Sequence, residues 1–151
     1  MQIDPEVERH VREAFGAVMA KDGARLVAAF QGLDRDQSLE AATYGIFVVG
    51  FIVNDVFRDG WTAEQLRNLA AKIVDSEKDW INLGDVGDVA NLLDAAGKSN
   101  LDFPDVPRED VLGNLFVCGG YLLTSFRLDG QDWWQYLDEV WEAALAAPES
   151  P

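Results

Sequence analysis

Two stretches of this chain are apolar on every side of a helix, and they set what the rest must do. Residues 46–53 run Ile46, Phe47, Val48, Val49, Gly50, Phe51, Ile52, Val53; residues 115–123 run from Leu115 to Leu123 through Cys118. A helix with no polar face is normally enclosed by protein, so the other segments must supply enough amphipathic helices to surround two such rods. The β-branched run at 46–53 also has the composition of a buried strand. Helix is the expectation because the flanking segments are helical and no hairpin partner is evident.

The remaining segments read as helices with start and stop signals. Asp4-Pro5 places a capping residue before a proline at the first helical position, and Val7, Val11, Ala14, Phe15 and Val18 follow on one face. Leu26, Val27 and Phe30 mark a short second helix before Gly32-Leu33-Asp34. The third, apolar helix spans about 38–57 and stops at Asp59-Gly60. Thr62 with Gln65 forms a capping-box pattern, and Leu66, Leu69, Ala70, Ile73 and Val74 make the stripe of an amphipathic helix. Asp85 caps a fifth helix through Val89, Leu92 and Leu93. Residues 98–107 read as a loop broken by Pro104 and Pro107. The sixth, apolar helix spans about 108–127 and stops at Asp129-Gly130; the last carries Trp133, Leu137, Val140, Trp141, Ala144 and Leu145. The expectation is an all-α, single-domain bundle of seven helices over residues 1–151, with residues 1–3 and 148–151 frayed.

An internal echo suggests two related helical halves. Each unit is an apolar helix, an Asp-Gly turn and an amphipathic helix, with Gly50-Phe51-Ile52-Val53 in register with Gly120-Tyr121-Leu122-Leu123. Glycine inside a helix costs about 1 kcal/mol relative to alanine, yet Gly45, Gly50, Gly113, Gly119 and Gly120 all lie within the two apolar helices. Close approach of two helix axes would offset that, which predicts a crossing near Gly50 and Gly119-Gly120. Room for a ligand is the other explanation.

Charge narrows the function classes. Asp and Glu total 27 against 12 Lys and Arg, a formal net charge of −15. Such a field repels phosphate backbones and anionic membrane surfaces and attracts basic protein surfaces; its plainest use is solubility. The longest apolar run, residues 44–53, is about half of the ~20 residues a membrane span needs. The N-terminus lacks the basic-then-apolar pattern of a signal peptide, and a cytoplasmic location is expected.

No catalytic constellation assembles from the sequence. His10 is the sole histidine, sharing a helix face with Glu6 and Glu13; one histidine with two acids on a solvated face does not specify a metal, and no metal or cofactor is expected. Cys118, the sole cysteine, sits in an apolar run as a core thiol. Gly84-Asp85-Val86-Gly87 lacks the Lys and Ser/Thr of a phosphate loop, and the segment from Asp34 has Leu39 where a calcium loop needs glycine.

Two candidate sites remain. Trp133 and Trp134 are adjacent, so both cannot sit centrally on one helix face; an exposed tryptophan beside Asp132, Asp138 and Glu142 has the composition of a binding hot spot with a charged rim. Asn54, Asp55 and Arg58 end the first apolar helix and, with Arg127 from the second half, are candidates to line a pocket between the halves. These features favour a protein-interaction module over an enzyme. Its expected partner is a basic protein, in the manner of an immunity protein or antitoxin, with self-association through the tryptophan edge as a further option. The alternative is a small-molecule-binding or enzymatic helical domain using the pocket between the halves.

Overall fold

Five of the expected helices begin at a side chain that takes an orphan N–H. The computed structural model describes residues 4–98 and 108–146. Among the described residues seven α-helices form: α1 Pro5–Met19, α2 Gly23–Ala29, α3 Arg35–Val56, α4 Ala63–Glu77, α5 Val86–Gly97, α6 Glu109–Ser125 and α7 Trp133–Ala146. No strand occurs among the described residues. Asp4 accepts from the Glu6 N–H, Asp22 from Arg25 and Asp85 from Gly87, satisfying donors that the first helical turn leaves unpaired. Thr62 and Gln65 form the reciprocal box expected of them. Asp34 and Gln37 form a second one, so α3 starts three residues earlier than its apolar periodicity indicates. Gly60 and Gly130 follow α3 and α6 with φ of 92° and 78°, the left-handed region that glycine enters without steric cost.

The two apolar helices form the interior. α3 packs against α1, α5, α6 and α7, and α6 against α1, α3 and α7. Val48, Val49, Ile52 and Val53 of α3 and Leu115, Phe116, Val117, Leu122 and Leu123 of α6 are fully buried. Phe15 and Phe30 both lie against Phe116, at ring-centroid distances of 4.9 and 5.0 Å. Trp141 stacks on Tyr44 at 4.1 Å. With 22 residues α3 is also long and apolar enough to cross a membrane, and half of its apolar window is buried within the fold.

The glycines do not meet as the sequence suggests. Gly50 faces α5: a Cβ there would press on the Ala96 carbonyl. Gly119 and Gly120 face α1, against Phe15 and Val18, and Gly119 also lies against the Val49 side chain of α3. α3 and α6 also approach at Gly45, whose added Cβ would lie 3.0–3.2 Å from Leu115 and Phe116. Equivalent halves are not reproduced by packing either, since α7 lies on α6 and α3 while α4 lies on α5. The expected fraying at 1–3 and 148–151, and Pro104 and Pro107 in the expected loop, lie outside the described residues, as does the side chain of Leu145.

Candidate functional site

The expected tryptophan edge is divided by the fold. Trp133 is half-buried against the core, whereas Trp134 is 46% exposed and Leu128, in the preceding turn, 70% exposed. Asp132 and Glu142 are exposed; the Asp132 N–H donates to Gln135 Oε1 at 2.8 Å, capping α7. Asp138 is engaged within the chain, because Arg12 Nη2 donates to its carboxylate at 2.6 Å and also to Glu8 at 3.1 Å. Burial works against the Arg12 charge, but the bonds to Asp138 and Glu8 outweigh it and raise its pKa. Asp138 therefore ties α7 to α1. Beneath this cluster Tyr44 is buried with its hydroxyl unpartnered, and burial raises its pKa.

Asn54, Asp55, Arg58 and Arg127 are not gathered around one cavity. Asn54 Nδ2 donates to the carbonyls of Gly50 and Gly97, both at 2.8 Å, fastening the end of α5 to α3. Asp55 accepts from the Tyr136 hydroxyl at 3.1 Å and pairs with Arg58 at 3.3 Å. Arg127 lines a shallow polar concavity of its own turn, with Thr124, Leu128, Asp129 and Asp132. Short polar side chains at a helix end have many local partners, and here those partners take them.

His10 is also absorbed by the fold. Its Nδ1 lies 2.6 Å from the Ala29 carbonyl, joining α1 to the end of α2, while Glu6 pairs with Arg9 and Glu13 with Arg25. No group of three or more potential metal ligands occurs among the described residues. Cys118 is fully buried, and burial pushes its pKa up to about 12, which keeps it a thiol at neutral pH.

Apart from the Trp134 edge, an apolar groove of about 520 Å³ remains open among the described residues. One wall is α2, through Leu26, Val27 and Phe30; the second is Trp80 and Ile81 from the α4–α5 connection; the third is the start of α6, with Glu109, Asp110, Gly113 and Asn114. Val27 is 44% exposed, and Phe30, Trp80 and Ile81 are half-buried. Trp80 is fixed by its indole N–H, which donates to Glu77 at 3.3 Å; Glu77 is the buried charged side chain of the described core and pairs with Lys21 at 3.6 Å. A second concavity of about 320 Å³ shares Asp110 and Asn114 with the groove and continues past Leu83, Val89 and Leu92. Sequence reasoning missed this site because its walls come from three segments whose apolar residues each read as core. The available signal was Trp80-Ile81, an apolar pair in a polar connection.

The chain matches no protein-family model, and neither a curated protein nor a solved structure matches it.

Proposed function

We propose that this chain is an acidic helical interaction module whose partner is a basic protein, acting as immunity proteins and antitoxins do by capturing a cationic surface. The observation that carries this reading is how positive charge is distributed. Eight of the 12 Lys and Arg side chains ion-pair with acids of the same chain among the described residues. The chain carries a net charge of −15, and most carboxylates among the described residues are exposed or half-buried. A field of one sign speeds encounter with the opposite sign, and exposed apolar side chains such as Trp134, Val27 and Leu128 then slow release. Co-purification from the native source at low and high salt tests it. A basic protein retained at low salt and weakened at high salt is the expected result; absence of any basic partner at both would sink the reading.

A second reading, a small-molecule site, is favoured by the groove volume of about 520 Å³, within the ~300–1,000 Å³ of ligand pockets. It is less well supported because the groove is open along one side, whereas such sites bury most of their ligand.

A further inference from the structure

Four of the five glycines inside α3 and α6 are accounted for by close packing. A Cβ would press on Leu115 and Phe116 at Gly45, on the Ala96 carbonyl at Gly50, on Phe15 at Gly119 and on Val18 at Gly120. Gly113 differs. A Cβ added there meets no described atom within 4 Å, its φ is not in the positive range, and it lies inside α6, where alanine would make the better helix. Nothing within the described fold calls for its bare backbone. It lines the groove, where the absence of a side chain lets something outside the fold come close.

We propose that this groove seats the apolar face of a basic amphipathic segment of a protein partner, laid across Val27, Phe30, Trp80 and Gly113 with its Lys and Arg side chains facing Glu109 and Asp110. This rests on the basic-partner reading above and assigns it a surface. The mode is a helix in an apolar groove, with anchors at i, i+3, i+4 and i+7. Charge selects the occupant. Glu109 makes no ion pair among the described residues, and Asp110 pairs only with the exposed Arg108 at 3.1 Å. The cations of the neighbouring segments are engaged elsewhere: Lys21 with Glu77, Arg25 with Glu13 and Lys78 with Asp75. An anionic segment would meet Glu109, which has no ion-pair partner among the described residues, and the net field of the chain. A cationic one gains from both.

The probe is a synthetic peptide of about 18 residues with leucine at helical spacing and lysine elsewhere. Its controls are the same composition in an order that breaks the spacing, and a leucine–glutamate analogue. Binding to the full chain is read by fluorescence anisotropy and by amide chemical-shift mapping. The amphipathic basic peptide is expected to bind and to shift Val27, Ile81 and Gly113, with neither control doing so. Gly113→Trp should weaken it about tenfold or more. Val27→Asp, at an exposed position, should weaken it as well, and both variants should keep the native melting temperature. Equal binding of the order-broken peptide, shifts confined to the region of Trp134, or full affinity in both variants would each overturn the proposal. A groove that fails in this way while a basic protein still co-purifies leaves the partner reading standing; loss of both removes both.

Discussion

Gly50→Ala isolates the packing logic of the central helix. The added methyl would sit well inside 3.0 Å of the Ala96 carbonyl oxygen, and that oxygen belongs to backbone, which cannot rotate away as a side chain can. The end of α5 must move. Overpacking of a close-packed interior costs about 1–3 kcal/mol. The shift also strains the Asn54 bond to the Gly97 carbonyl, a contribution of about 1 kcal/mol. Alanine's better helix propensity returns about 1 kcal/mol. The net is a destabilisation of about 1–3 kcal/mol, which for ~150 residues, at about 2–4 °C per kcal/mol, lowers Tm by roughly 5 °C. Gly113→Ala is the matched control: the same change in a helix interior, with no described atom within 4 Å of the new methyl, should raise stability by up to about 1 kcal/mol. Thermal melts of both variants followed by circular dichroism check this. Equal effects in the same direction would refute the account, because propensity would then outweigh contact.

Further outcomes follow from other contacts. Tyr44→Phe removes a buried hydroxyl that has no partner, and should leave stability unchanged or raise it by about 1 kcal/mol; a clear loss in urea unfolding would show that the hydroxyl has a favourable role. Asn54→Ala deletes the donor to two carbonyls and should cost about 1–2 kcal/mol, with faster amide exchange at the end of α5. The Asp94 pKa is held below its ordinary value by the Trp61 indole N–H and then by Lys98. A depressed carboxylate contributes stability above its unfolded pKa and loses it as pH falls through the lower folded value. Trp61→Phe should therefore destabilise more at pH 6 than at about pH 3, and an offset independent of pH would refute the coupling. Cys118 should resist a thiol reagent in the native state and react on unfolding, given its burial.

The helices were legible because their signals are local. A capping residue next to its own first turn, an Asp-Gly stop, and an apolar stripe at 3.6-residue spacing need no knowledge of distant chain. The reading missed the start of α3 because the Asp34–Gln37 box lies ahead of the apolar residues. It placed Asn54, Asp55, Arg58 and Arg127 around one pocket, whereas the fold gives Asn54 the Gly97 carbonyl, Asp55 the Tyr136 hydroxyl besides Arg58, and Arg127 a separate turn. Asp138 looked like a rim acid, and only α1 brings Arg12 to it.

By itself the sequence determined that the chain is helical, that residues 46–53 and 115–123 pack into or against the core, and that its surface is acidic, because propensity, periodicity and charge are properties of short segments. Tertiary structure alone decided which glycine faces which helix, which carboxylates are consumed within the chain, and that Val27, Phe30, Trp80 and Gly113 share one open groove. The physical reason is that a close approach or a groove wall depends on the positions of several helices at once, and no spacing within a single helix encodes it.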